Sequence, residues 1–110
     1  MSKATTSTLL PRRAKQNLAT VGEQIRCARL RRNLTIEQIA ERAGCSQPTV
    51  IRVEKGNPSV AMGTYLRVLY AIGIDQDILL LAQNDPLGRT LQDLNLPHRR
   101  RATTKKETQA

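Results

Sequence analysis

Residues 44–56, GCSQPTVIRVEKG, combine side chains that are suited to hydrogen bonding with the edges of DNA base pairs. The amide of Gln47 can pair with adenine through two hydrogen bonds, and the guanidinium of Arg52 can fork onto guanine or reach a phosphate. The methyl groups of Thr49 and Ile51 can meet a thymine methyl. The pattern favours a helix that reads base pairs, and the alternative is an ordinary amphipathic surface helix.

The basic residues of the chain favour a polyanionic partner, with nucleic acid first. The 110 residues carry a net charge of +9, most of it in the flanks. Residues 1–19 hold four basic and no acidic side chains, residues 20–83 eight basic and six acidic, and residues 84–110 six basic and three acidic. Charge alone leaves a second interpretation open, in which a soluble domain has basic disordered ends.

No combination of residues points to catalysis, a cofactor or a metal, so we expect a protein that is not an enzyme. The sequence has no Ser/His/Asp set, and its one histidine, His98, precedes a run of arginines near the C-terminus. Cys27 and Cys45 form no CxxC pair, which argues against zinc. Three features predict a cytoplasmic protein: the two thiols are lone, the sequence lacks a secretory signal pattern, and every apolar run is short.

The composition predicts an all-α domain with an aliphatic core, because the chain contains no Phe and no Trp. Residues 1–19, rich in Ser, Thr, Lys and Arg, are expected to form a flexible basic arm. The folded domain is expected over residues 20–83. Residues 84–110 are expected to add a short weak helix and a disordered basic tail.

Two capping boxes predict the first two helices. Thr20 with Glu23 begins the first, which is expected to end near residue 32, and Thr35 with Gln38 begins the second. The apolar residues that follow recur at helical spacing. The expected inward positions are Val21, Ile25 and Ala28 in the first helix and Ile36, Ile39, Ala40 and Ala43 in the second.

The third helix is expected over about residues 46–55, with Ser46 as its N-cap and Pro48 in its first turn. Two valines, Val50 and Val53, are expected to face inward. Gly44 ends the second helix, so a short turn joins two capped helices. This is the helix-turn-helix layout, in which the second helix lies across the DNA backbone and the third enters the major groove.

Phosphate contacts are expected at the ends of these two helices. Lys55 lies at the end of the third helix. The backbone N–H groups around Thr35 and Ile36 begin the second helix, where they form a local positive pole.

The segments MGTYLRVLYAIG and IDQDILLLAQ predict a fourth helix that stops at Gly73 and a fifth that Asp75 caps. The inward stripe of the fourth helix is expected to contain Tyr65, Leu66, Leu69 and Ile72. Residues 78–81 are apolar all round, which fits either a central core helix or a dimer interface. We favour a dimer that uses Ile78, Leu79 and Leu81, since a symmetric dimer would bring two third helices to half-sites about one helical turn apart.

The stretch IRCARLRRNLTIEQIAERAGCSQPTVIRVEKGNPSVAMGTYLRVLYAIGI resembles the XRE family of helix-turn-helix regulators, which is related to Cro and the phage repressors. The resemblance covers roughly residues 21–83 and implies a five-helix, lambda-repressor-like bundle. It implies that the base-reading surface comprises Ser46, Gln47, Pro48, Thr49 and Arg52. It also implies an ion pair between Arg29 and Glu54. One position departs from the family, since Ile36 stands where a phosphate-contacting Gln is frequent.

The C-terminal half, from MGTYLRVLYAIG onward, resembles the HipB-like antitoxins that accompany HipA-like kinase toxins. That resemblance implies a homodimer that represses its own operon and engages the toxin. Two alternatives remain. One is a stand-alone repressor from a phage or mobile element. The other is a toxin-neutralising interaction protein for which DNA binding is secondary.

Overall fold

The computed structural model describes residues 9–94, which form five α-helices and one 3₁₀ helix, with no strand among them. The helices are α1 (Arg12–Arg31), α2 (Ile36–Ala43), α3 (Gln47–Glu54), α4 (Met62–Ile72) and α5 (Pro86–Asp93), and the 3₁₀ helix (Asp75–Leu80) lies between α4 and α5. The described part of the chain is therefore all-α, as the composition predicts. The tail with His98 and the first part of the N-terminal arm lie outside the described residues.

The first helix begins at Arg12 rather than Thr20, so the prediction that residues 1–19 form a flexible arm is wrong for the last turns of that segment. Thr20 does not cap the helix: it lies inside it, and its hydroxyl donates to the carbonyl of Gln16 at 3.0 Å. Residues 12–19 favour a helix because most of them are strong helix formers, and because Leu18 packs against the core.

The inward face of α1 agrees with the predicted stripe at two of its three positions. Ile25 and Ala28 are buried as predicted, together with Gly22 and Arg29. Val21, expected to face inward, is exposed. Gly22 takes its place on the inward face, in line with Leu18 and Ile25 at helical spacing.

The termini of α2 and α3 match their sequence signals. Thr35 Oγ1 accepts from the N–H of Gln38 at 3.0 Å, and Gln38 Oε1 accepts from the N–H of Thr35 at 2.8 Å, which completes the capping box. Gly44 ends α2 in the left-handed conformation, with φ of 70°. Ser46 caps α3 by accepting from the N–H of Thr49 at 3.2 Å. The turn between the two helices is thus residues 44–46.

The core lies among α1, α2, α3 and α4. Its largest fully buried side chains are Ile39, Val50, Val53 and Val68. Cys45, in the turn, is half-buried and packs against this cluster as a small apolar side chain. The core is aliphatic apart from Tyr65, which is buried. Two successive helices, α2 and α3, are therefore held by one shared cluster of small side chains.

The inward face of α4 agrees with the prediction at Tyr65 and Ile72 and differs from it at Leu66. Its buried residues are Tyr65, Val68, Ala71 and Ile72, whereas Leu66 is exposed and Leu69 is only half-buried. Apolar residues occur on nearly all sides of this helix. The hydropathy pattern is therefore compatible with two overlapping inward faces and does not decide between them.

The predicted fifth helix is instead the 3₁₀ helix of Asp75–Leu80, and the fifth α-helix lies in the segment expected to be short and weak. The run that begins at Ile78 lacks a single apolar face, so nothing in its pattern sustains a longer helix packed on one side. Helix α5 begins where Asp85 accepts from the N–H of Gly88 at 3.0 Å. The chain divides into two compact units between Ile78 and Leu79.

Candidate nucleic-acid interface

Helix α3 separates its buried and exposed side chains by chemistry. Val50 and Val53 are 0% exposed, which fixes the inner face in the core. On the outer face, Gln47 and Arg52 are exposed. The helix therefore presents hydrogen-bonding groups on a firmly anchored support, which is the arrangement that major-groove recognition requires.

Three polar side chains on α3 are joined in a row, which we call the α3 ladder: Ser46, Thr49 and Arg52. The hydroxyl oxygens of Ser46 and Thr49 are 2.9 Å apart. Nη2 of Arg52 donates to Thr49 Oγ1 at 3.1 Å. The ladder follows the helix from its N-cap towards its last turn and fixes the direction of the guanidinium along the exposed face.

A buried ion pair joins α1 to α3. Arg29 Nε donates to Glu54 Oε2 at 2.6 Å and Nη2 donates to Oε1 at 3.1 Å, with side-chain exposures of 9% and 6%. Arg29 Nη1 also donates to the carbonyl of Leu34 at 2.9 Å, just before α2. One guanidinium therefore positions α3 relative to both α1 and the start of α2, through bidentate geometry that lysine could not reproduce.

Two contacts from α4 hold the turns at the two ends of α3. Arg67 Nη1 donates to the carbonyl of Gly44 at 3.3 Å, before α3. Tyr65 Oη donates to the carbonyl of Asn57 at 2.8 Å, after it. Desolvation by burial raises the pKa of Tyr65 above its ordinary value, so the phenol keeps this donor proton into the alkaline range. Neither contact has a signal in the sequence pattern, because each joins a side chain of α4 to the backbone of a turn outside that helix.

Comparison with protein families identifies this arrangement. A family model described as a helix-turn-helix domain matches residues 20–80, which spans most of α1 and all of α2, α3 and α4. The chain belongs to the helix-turn-helix domain family. This domain is of the XRE-like kind, and it indicates that the protein is a DNA-binding regulator. Searches of the curated proteins and of the solved structures find no match.

The helix-turn-helix domain depends on a close approach between α1 and the end of α3. A Cβ at Gly22 would lie 2.6 Å from the carbonyl oxygen of Glu54 and 2.6 Å from the backbone nitrogen of Gly56. A Cβ at Gly56 would collide with the carbonyl of Leu18, and Gly56 also has φ of 70°. Gly22 had no predicted role, although a glycine inside a helical pattern is a signal of close packing.

The start of α2 offers fewer free N–H groups than the sequence suggests. The N–H of Thr35 is bound to Gln38, so it is not available to a phosphate. The Thr35 hydroxyl oxygen accepts from Gln38, and its own hydrogen can still be donated. The N–H groups of Ile36 and Glu37 have no acceptor within the helix because they lie in its first turn. The side chain of Ile36 is half-buried against the core and cannot replace a polar contact.

A shallow cleft of about 570 Å³ extends from this helix start to the first residue of α3. Its lining comprises Arg29, Leu30, Asn33, Leu34, Thr35, Ile36, Glu37 and Gln47. Gln47 and the first turn of α2 therefore border the same concave surface of the helix-turn-helix domain.

The described residues contain no cluster of His, Cys, Asp and Glu that could hold a metal ion. None of the helices among residues 9–94 combines the length and the apolarity needed to cross a bilayer.

Proposed function

We propose that this protein is a cytoplasmic, sequence-specific repressor of transcription that binds double-stranded DNA as a homodimer, with α3 in the major groove. The observation that carries the proposal is the division of α3. Its inner face is fixed by Val50, Val53 and the Arg29–Glu54 pair, while its outer face presents Gln47 and Arg52. A groove-reading helix needs both properties, because weakly held side chains discriminate poorly between base pairs.

The proposal assigns different tasks to the contacts. The base-reading set comprises Ser46, Gln47, Pro48, Thr49 and Arg52. The phosphate-contacting set comprises the hydroxyl of Thr35, the N–H of Ile36 and the ammonium of Lys55, which is exposed just after α3. Contacts of the second kind fix the register of the protein on the duplex but carry no sequence information.

The homodimer is proposed to use Ile78, Leu79 and Leu81. Leu79 and Leu81 are 68% and 69% exposed in the single chain. Burial of such side chains in a symmetric interface would stabilise a dimer, and the dimer would bind two half-sites with one surface repeated. Repression would follow from occupation of a promoter by the bound dimer.

An antitoxin that engages a HipA-like kinase toxin is the second candidate function, and one observation favours it. The unit that begins at Leu79 exposes an unusual number of large apolar side chains for its length: Leu79, Leu80, Leu81, Leu87, Leu91 and Leu94. More apolar surface is exposed than two leucines at a dimer interface would cover, and such surface is typical of a protein-binding site.

Binding to the DNA upstream of the protein's own gene tests the proposed function. The dissociation constant for that fragment is compared with that for a scrambled fragment of equal length and composition, by fluorescence anisotropy in about 0.15 M salt. A preference of about a thousandfold or more supports a sequence-specific regulator. Equal binding to both fragments, with a steep salt dependence, would mean that the basic charge dominates and would contradict the proposal.

Sedimentation of the purified full chain tests the homodimer. The double variant Leu79→Asp/Leu81→Asp is expected to sediment as a monomer while the wild type is a dimer. Leu30→Asp is the matched control, since Leu30 is also an exposed leucine but lies on α1. Co-purification of a kinase with the wild type, but not with the double variant, would support the antitoxin role in addition.

A further inference from the structure

The α3 ladder leaves more hydrogen-bond donors than hydrogen-bond acceptors free to contact a ligand. Its two hydroxyl oxygens have four lone pairs. One accepts the N–H of Thr49, one accepts the guanidinium of Arg52, and one accepts the hydrogen shared by Ser46 and Thr49. Only one lone pair therefore remains, whichever hydroxyl donates to the other.

The donors of the ladder remain mostly unused. One of the two hydroxyl hydrogens is spent inside the ladder, so the other can be donated outward. The bond from Arg52 to Thr49 uses one of five guanidinium N–H groups. A partner for this surface must consequently present acceptors rather than donors. In the major groove, guanine offers two adjacent acceptors, O6 and N7, whereas adenine places a donor beside its N7.

The ladder also restricts the side chain of Arg52. A free arginine samples many rotamers, and ordering it at a DNA surface reduces affinity. The hydrogen bond to Thr49 selects an orientation along α3 before DNA arrives. Thr49 itself is half-buried, which limits its own reach and suits a supporting role.

We propose that Thr49 is a positioning residue that orients Arg52, and that the ladder thereby selects a guanine at one position of each half-site. This inference rests on the proposed function and makes it more specific. It changes the role of Thr49 from a base contact to a residue that acts through Arg52. Gln47 lies outside the ladder and carries both a donor and an acceptor, which match N7 and N6 of adenine rather than the two acceptors of guanine.

Selection of binding sites from random double-stranded DNA tests the proposal with the purified full chain. The wild type is expected to require guanine at one position per half-site, by about tenfold to a hundredfold over other bases. Thr49→Val keeps both branches of the side chain but removes the oxygen. It should reduce the guanine preference at that position about threefold to tenfold, with other positions changed less than twofold. Thr49→Ser restores the hydroxyl and should restore the preference.

The Arg52→Ala background separates positioning from direct contact. If Thr49 acts through Arg52, adding Thr49→Val to Arg52→Ala changes the site preferences no further. A further loss at the same position would show that Thr49 contacts the base directly and would overturn the proposal. A guanine preference that Thr49→Val leaves intact would overturn it as well, as would an Arg52→Ala variant whose loss is equal for all sequences.

The same selection distinguishes this inference from the proposed function. If the wild type enriches no sequence at all, sequence-specific binding itself fails. If it enriches a defined site that contains no guanine dependent on Arg52, the function stands and only the ladder's role is wrong. Far-UV circular dichroism and thermal unfolding of each variant check that the helical fold is intact, so that a loss of preference reports on the ladder.

Discussion

At the residue scale, the Arg29–Glu54 pair is the polar contact on which the placement of α3 most depends. Both side chains are largely withdrawn from water, and both make two well-formed contacts with each other. The net stabilisation by a buried pair is small relative to an apolar replacement, because desolvation offsets the attraction. Removal of one partner is different, since it leaves the other charge buried without compensation.

Glu54→Ala is expected to lower the free energy of unfolding by about 3–5 kcal/mol, because Arg29 would remain buried without its carboxylate. Glu23→Ala is the matched control. Glu23 pairs with Arg26 at 3.2 Å, but those side chains are 58% and 49% exposed, so its loss should cost less than about 1 kcal/mol. Urea denaturation of both variants measures the difference. A negligible change in Glu54→Ala would contradict the account of this pair.

Because of Tyr65, the free energy of unfolding is expected to change with pH in the alkaline range. The raised pKa of Tyr65 means that the folded state favours the neutral phenol, so its contribution is complete below the ordinary value of about 10 and is lost as pH rises through the higher folded value. At neutral pH, Tyr65→Phe should cost about 0.5–1.5 kcal/mol through the lost bond to Asn57.

Above pH 10 the difference between wild type and Tyr65→Phe should shrink, because only the wild type must keep a phenol protonated. Thermal unfolding of both proteins between pH 7 and about pH 11 provides the measurement. Tyr70→Phe, at a largely exposed position, serves as the control and should follow the wild type. A gap between wild type and Tyr65→Phe that stays constant with pH would contradict the assignment.

At the element scale, the ends of α2 and α3 could be predicted from neighbouring residues, whereas the capping box at Thr20 was wrong and contacts between distant segments had no sequence signal. The capping box of α2, the Ser46 cap and the turn at Gly44 depend on neighbours in the chain, so their sequence signals are sufficient. Packing between helices determines three other features: the N-terminal extension of α1, the inward face of α4 and the contact of Arg67 with the turn. The partner for Arg29 was available only through family resemblance, since spacing in sequence does not reveal it.

The approach of α1 to the end of α3 predicts opposite effects for two glycines in helices. Alanine in a helix is ordinarily more stable than glycine by about 0.5–1 kcal/mol. Gly63→Ala, in the first turn of α4, meets nothing within 4 Å and should be neutral or stabilising within that range. Gly22→Ala should instead destabilise by about 1–3 kcal/mol, since its Cβ meets backbone atoms that cannot rotate away.

Thermal or urea unfolding of the two glycine variants in parallel gives the comparison. The difference in stability change between the two variants reports the steric contact, because the intrinsic helix preference favours alanine at both positions. If Gly22→Ala proved as stable as Gly63→Ala, the close packing of α1 against the α3 terminus would be refuted.

At the scale of the whole molecule, the proposed function assigns affinity and specificity to different groups. The net charge of +9 attracts any polyanion, and that attraction falls as salt rises. Discrimination between sequences is assigned in that proposal to the few groups on α3 that would reach base edges. A protein whose exposed recognition surface is small can therefore bind all DNA appreciably and still prefer one site, provided that the anchoring of α3 is rigid.

The most direct test of this account is the ratio of affinities for the protein's own promoter DNA and for scrambled DNA, measured for Gln47→Ala and Lys55→Ala across a salt series. Gln47→Ala should lose about 1–3 kcal/mol of discrimination while keeping its binding to scrambled DNA. Lys55→Ala should weaken binding to both fragments alike and reduce the salt slope by about one. Equal losses on both fragments for both variants would contradict the claim that α3 reads the base sequence.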